Sequence, residues 1–399
     1  EIKEKNSEIP GMSSDSRAYQ VQVVVKDTGT GSLNEEKIMY SLLAGGSTTK
    51  YEYNENNPMT FVNTYNTATQ QVIIRGTKTL IGDTLAKDQF SFALTKAEKV
   101  GSEGATAPLP VIDGDSLEVG EPVKNTAGTG NNIFFGTITY DVQDAGTYKY
   151  SFQEVVPADK EPGMVYDDEE KVVTVTVTYD EGVLNATVSV DTGDGTAAGE
   201  SASLTFHNVK KEATLDGDGD AALTVKKTLT GRGWLPTDQF TFQLAAEDDD
   251  TSQALEDGTV KLENALGDAM VTTIPESKTI QAGNSVISNT KTGSFGDITF
   301  YETGKYTFTV TEMKPGEGAI EGVTYSLAKY TVTVQVDENE DGTLADPVVT
   351  VTQTTDDKGD AVSEVGATTP QFTNTVAEKG NTKSVTTGTE GTESYDPDG

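Results

Sequence analysis

The chain has 399 residues, with 64 Asp and Glu against 29 Lys and Arg, one His, no Cys and a formal net charge of −35. The length suits two or three domains. The charge argues against nucleic acid and anionic membrane as partners, the absent cysteines exclude a disulfide framework and thiolate metal sites, and a lone His207 removes nearly all histidine-based catalysis. No metal site and no cofactor is expected. No apolar run is long enough to span a membrane, and no signal peptide opens the sequence.

Strands of alternating polarity recur from end to end, bounded by Gly, Asp and Thr, which predicts an all-β protein of sandwich type. The pattern repeats. Residues 1–67 read as the back half of one repeat: an alternating strand at 19–25 (YQVQVVV) and a closing motif at 60–64 (TFVNT). Aligned on its successors, this remnant carries Asn63, and Glu1 falls on the position of Glu154 and Glu312, one residue out over the following loop. It has no Lys strand, so Asn63 is expected to stay unlinked. The chain therefore reads as an excerpt from a longer array.

Residues 68–210 form the first complete repeat. It opens with Lys78-Thr79-Leu80-Ile81-Gly82 and continues with Asp88-Gln89-Phe90-Ser91-Phe92. A Gly-Thr-Tyr strand ending at Glu154, the alternating stretch 172–179 (VVTVTVTY) and a close at Phe206-His207-Asn208 follow. Residues 211–221, with Asp216, Asp218 and Asp220 alternating with glycine, read as a solvated linker. Residues 222–377 are the second complete repeat, with Lys227-Thr228-Leu229-Thr230-Gly231, Asp238-Gln239-Phe240-Thr241-Phe242, a strand ending at Glu312, the stretch 330–336 (YTVTVQV) and Phe372-Thr373-Asn374. Segments 95–133 and 245–294 are polar inserts, read as long loops or short strands. Residues 378–399 are a Gly/Thr/Glu tail with no packing potential.

Parity along these strands singles out three polar residues per complete repeat. Side chains alternate between faces, so Leu223, Val225, Lys227 and Leu229 share an apolar row, as do Val72, Ile74, Gly76, Lys78 and Leu80. Tyr306, Phe308 and Val310 share a face with Glu312. Tyr148, Tyr150 and Phe152 share one with Glu154. Phe372 lines up with Asn374, and Leu204 and Phe206 with Asn208. Each complete repeat thus aims one Lys, one Glu and one Asn into its own core. A lone buried ammonium is costly, and an apolar site favours a neutral Lys and a protonated Glu. Attack of the amine on the Asn carboxamide would release ammonia and leave a neutral amide, with the Glu relaying protons. The bland alternatives are surface lysines on edge strands, or a hydrogen-bonded triad that never condenses.

Other motifs carry less. Asp337-x-Asn339-x-Asp341-Gly342 mimics the start of a calcium loop, but Val348 stands where a Glu is needed, so a hairpin turn is expected. His207 faces away from Asn208 and is expected to be exposed. Trp234, after Gly231-Arg232-Gly233, is expected to cap a loop.

The K-T-L-x-G start, the G-x-Y-x-F/Y-x-x-x-E strand and the F-x-N-T close resemble the pilin isopeptide linkage domains of Gram-positive surface proteins, of the T-antigen major pilin type. The resemblance spans residues 70–376 in two copies and half a copy before them. It implies tandem Ig-like β-sandwiches with internal Lys–Asn isopeptide cross-links, Lys78–Asn208 with Glu154 as catalyst and Lys227–Asn374 with Glu312. Asn208 departs from the usual F-x-N-T close, being flanked by His207 and Val209. The resemblance further implies a structural stalk or shaft segment of an extracellular pilus or adhesin at the cell wall. Its partners would be neighbouring pilin subunits or further repeats, and it would not be an enzyme, because each Glu acts once. The alternative is an adhesin whose insert loops hold a host protein or glycan. For Lys and Asn to meet, the first and last strands of a repeat must lie side by side and parallel.

Overall fold

The computed structural model describes residues 1–377 apart from 7–8, 10, 44–48, 103–104, 127–130, 181, 221, 263–275, 282–289 and 368. The tail expected at 378–399 lies outside the described residues. The chain divides into two compact units, residues 1–210 and 211–399. The first unit holds both the partial repeat and the first complete repeat.

In the first complete repeat two sheets face each other. One runs Asn132–Asp141, Thr69–Ile81, Ser201–Lys210, Met164–Val165 in order, with short strands beyond Asn132–Asp141. The other runs Pro122–Lys124, Ser91–Lys99, Gly146–Glu154, Lys171–Asp180, Val183–Thr192. Every pairing between these strands is antiparallel except one: the first strand, Thr69–Ile81, lies parallel to the closing strand, Ser201–Lys210, with Lys78 opposite Phe206 and Leu80 opposite Asn208. Phe92, Phe135, Tyr150, Phe152, Val175 and Phe206 fill the space between the sheets with no exposure, as alternating Val/Thr and aromatic strands require.

The second complete repeat repeats the plan. Thr224–Thr230 lies parallel to Gln371–Val376, with Lys227 opposite Phe372 and Leu229 opposite Asn374. Across the core stand Gln239–Ala246, Gly304–Met313, Lys329–Val336 and Val348–Thr355 in one sheet. The glycine of the K-T-L-x-G motif ends the first strand. Gly82 and Gly231 have φ of 86° and 88°, and a Cβ on Gly231 would sit 2.2 Å from the Val376 carbonyl oxygen. Only glycine fits this turn without moving the closing strand.

Three expectations need correction. The linker at 211–221 is partly structural: Ala213–Leu215 pairs with Ile298–Phe300, and Leu215 is buried in the second unit's core, because Ala213 and Leu215 alternate with polar neighbours as a strand does. The insert of the second repeat contains a helix, Asp249–Asp257, capped by the Asp248 side chain and ended by Gly258 in the left-handed region. Trp234 does not cap a loop from outside; it is buried edge-on against Phe240.

The partial repeat forms a sheet in the order Ile2–Lys3, Ala18–Asp27, Leu33–Leu42, Tyr51–Glu52, beside a short pair of Met12–Ser13 with Thr64–Tyr65. Tyr19 and Tyr40 are its buried aromatics, while Val23, Val25 and Val62 are more than half exposed.

Candidate functional site

The parity rule delivers each Lys to the core. Val225, Lys227 and Leu229 are fully buried, and Lys226 between them is exposed. Parallel pairing then places Asn two residues beyond the partner of Lys, on the same face, so the two side chains are diagonal neighbours. The Glu comes from the facing sheet, at the end of its central strand, and spans that diagonal.

In the first complete repeat the Lys78 ammonium nitrogen lies 2.6 Å from Glu154 Oε2, and Asn208 Nδ2 donates to Glu154 Oε1 at 2.7 Å. In the second, Lys227 Nζ lies 2.6 Å from Glu312 Oε2, and Asn374 Nδ2 donates to Glu312 Oε1 at 2.8 Å. The Lys and Glu side chains of both pairs have no exposure. One carboxylate therefore holds the prospective nucleophile on one oxygen and the prospective leaving group on the other.

Aromatic rings of the D-Q-F-x-F motif close the pocket around the nitrogen. Lys78 Nζ is 4.7 and 5.8 Å from the ring centres of Phe90 and Phe92, and Lys227 Nζ is 4.9 and 5.9 Å from those of Phe240 and Phe242. Such contacts with an ammonium are favourable, but they replace water with hydrocarbon. Burial pushes the Lys78 amine below its ordinary value and the Lys227 amine down to about 8, against the opposing pull of the adjacent carboxylates. Burial also raises Glu154 and Glu312, again against their lysines. Both shifts move the pair toward neutral amine and protonated acid.

The carboxamide's other polar atom, its oxygen, is also held. Asn208 Oδ1 accepts the backbone N–H of Asp167 at 2.8 Å, and Asn374 Oδ1 that of Ser326 at 2.7 Å. These donors come from the segment just before the alternating strands, which sequence reasoning did not single out. Nor did it find Lys171, which is buried beside Asp167 at 3.2 Å and lies 5.7 Å from the centre of the Phe206 ring. Its signal was present: Lys171, Val173, Val175 and Val177 share one parity. Tyr330 takes the equivalent place in the second repeat, stacked edge-on against Phe372.

The partial repeat keeps part of this arrangement. Asn63 Nδ2 donates to Glu4 Oε1 at 2.6 Å, and Asn63 Oδ1 accepts the Asp15 N–H at 3.0 Å. The Glu position is thus filled by Glu4, not by Glu1, which is exposed. The strand Ile2–Lys3 pairs Ile2 with Tyr19, and the side chain two residues after Ile2 is the one that reaches Asn63. His207 is exposed, with Nε2 3.4 Å from Asp194. Asp337 to Leu344 is a hairpin turn closed by Asn339 N–H to the Thr343 carbonyl, and among the described residues no cluster of acids or histidines could hold a metal.

A repeated sandwich with its first and last strands parallel, and a Lys–Glu–Asn bridge inside, defines a class of β-sandwich repeat, and a family model matches it. The family of Spy0128-like isopeptide containing domains (FctA) matches residues 1–66, 74–211 and 223–377. The chain belongs to this family. No curated protein matches the chain. Among solved structures, the major pilin from Streptococcus pyogenes aligns at 17% identity over 77% of this chain and 98% of its own, with a TM-score of 0.26. The full-length major pilin SpaD from Corynebacterium diphtheriae aligns at 15% identity over 71% and 66%, with a TM-score of 0.19. The SpaE basal pilin from Lactobacillus rhamnosus GG aligns at 11% identity over 77% and 99%, with a TM-score of 0.22. Family membership rests on the sequence match and not on these superpositions. No helix among the described residues is long and apolar enough to cross a membrane.

Proposed function

We propose that each complete repeat closes an internal amide, Lys78–Asn208 with Glu154 and Lys227–Asn374 with Glu312, and that the chain is a load-bearing segment of a Gram-positive cell-surface pilus or adhesin stalk. The observation that carries this reading is the single enclosed carboxylate bonded to both Lys Nζ and Asn Nδ2, built twice from equivalent positions.

The step balances as follows. The neutral Nζ donates its lone pair to Asn Cγ, and the carbonyl pair moves onto Oδ1, where the Asp167 or Ser326 N–H receives it. Glu accepts a proton from Nζ through one oxygen and delivers one to Nδ2 through the other. The Cγ–Nδ2 bond breaks, ammonia leaves, and Glu ends in the protonation state in which it began. Contact between the reactants supplies the effective concentration, and desolvation supplies the neutral amine. Each Glu acts once per molecule, which is not enzymatic turnover.

The mechanical consequence follows from strand order. Tension enters a repeat through its first strand and leaves through its last. An amide near the ends of these two parallel strands passes the load directly from one to the other, leaving everything between them unstretched. Neighbouring pilin subunits or further repeats would be its partners in the fibre. Single-molecule stretching tests this. Wild-type repeats should extend without an unfolding step up to the rupture of the tether. A Lys227→Met chain should show a step that releases the loop from 227 to 374, about 50 nm at the reach of an extended chain. Equal steps in both would refute the load path.

A further inference from the structure

The donor aimed at the carboxamide oxygen is tied in place, and the tie is built differently in the two complete repeats. In both, a carboxylate accepts the N–H of the residue immediately before the reacting Asn. His207 N–H bonds Asp167 Oδ2 at 2.9 Å, and Thr373 N–H bonds Asp357 Oδ1 at 2.9 Å. The partial repeat does the same, with Val62 N–H on Asp15 Oδ2 at 2.6 Å.

The chain position supplying the carboxylate changes. In the first complete repeat and in the partial one it belongs to the residue whose own N–H points at Asn Oδ1, Asp167 or Asp15. In the second complete repeat that residue is Ser326, and the carboxylate arrives from Asp357 in the turn between Val348–Thr355 and Ala361–Ala367. Ser326 Oγ donates to the same Asp357 oxygen that holds the Thr373 N–H. Ser326 Oγ thereby rebuilds the link that Asp167 makes within one residue. The contact is kept while its source moves by some thirty positions along the chain.

We propose, resting on the cross-linking reading above, that Asp167 and Asp357 are positioning residues for amide formation: each fastens the backbone N–H that faces Asn Oδ1 to the strand carrying that Asn. As charge develops on Oδ1, a donor already aimed there costs no reorganisation, and one such donor is worth roughly 10²–10³ in rate. The carboxylate's own charge would oppose negative charge on Oδ1. What it contributes is an acceptor in the right place, which an Asn side chain also supplies.

The test uses the full chain, isolated unfolded in denaturant, refolded by dilution, quenched in acid at intervals and digested. Lys227–Asn374 and Lys78–Asn208 linked peptides are then quantified from the same sample. Asp357→Ala should slow the Lys227–Asn374 amide about tenfold or more, leave the Lys78–Asn208 amide unchanged, and be largely rescued by Asp357→Asn. Asp167→Ala should slow only the Lys78–Asn208 amide. A cooperative melting transition of Asp357→Ala in a Lys227→Met background, matching that of Lys227→Met alone, shows that the second repeat still folds. If it does not fold, Ser326→Ala decides, because it cuts the tie while keeping the N–H: a slowed amide supports the assignment and the wild-type rate overturns it. Asp357→Ala at the wild-type rate, or Asp357→Asn as slow as alanine, overturns it too. A wild-type chain that folds without forming either amide contradicts the cross-link itself, and is recognised by needing no substitution.

Discussion

Lys227→Met isolates the stabilisation expected from the second cross-link. Met keeps most of the apolar stem, and Phe240 and Phe242 already surround the position of Nζ. Glu312 loses its Lys but keeps Asn374 as a donor at 2.8 Å, and its burial favours the protonated form, so no uncompensated buried charge remains. What the proposed cross-link would lose is the covalent closure of the loop from 227 to 374. Loop-entropy reasoning of the kind applied to disulfides puts that loss at about 5 kcal/mol. For a repeat of this size, matched over 223–377, such a loss should lower the melting temperature by roughly 10–20 °C. Differential scanning calorimetry of wild type and variant reads the shift, and intact mass confirms that the variant keeps one more ammonia than wild type. An unchanged transition together with that mass difference would refute the loop-closure reasoning, since the bond would then have formed without stabilising the fold.

Glu312→Ala should abolish the second amide alone and Glu154→Ala the first alone, each seen as one retained ammonia, and the double variant should retain both. Formation of the Lys227–Asn374 amide on refolding should quicken as pH rises through about 8, where burial places the Lys227 amine. Below that value the ammonium has no free lone pair, and the rate should fall about tenfold per pH unit. Peptide mapping of this chain should find Asn63 as a free carboxamide. Lys227→Met should also expose trypsin sites within the second repeat that the wild type protects.

Much of this architecture could be read from the strands themselves. The two-residue period placed Lys78, Lys227, Glu154, Glu312, Asn208 and Asn374 on apolar faces, and a strand has only two faces to choose between. The parallel pairing of first and last strands followed from requiring Lys and Asn to meet. What escaped was of another kind. Ala213–Leu215 is too short for its alternation to stand out beside the Asp-Gly run, so the segment read as a linker. The helix Asp249–Asp257 is acidic and short, and only Leu255 and Thr251 bury on it. Glu4 was missed for Glu1 because the loop after it shifts the alignment. The backbone donors of Asp167 and Ser326 carry no side-chain signature at all. Asp357 reaches the site from a turn whose sequence says nothing of Asn374.

Intact mass spectrometry of the folded wild-type chain bears most directly on the buried Lys–Glu–Asn bridges. The expected mass is that of the sequence less two ammonias, with digestion yielding one peptide pair joined through Lys78 and Asn208 and another through Lys227 and Asn374. A mass equal to that of the unmodified sequence, from a chain that melts cooperatively and resists trypsin, would show that the triads fold without reacting.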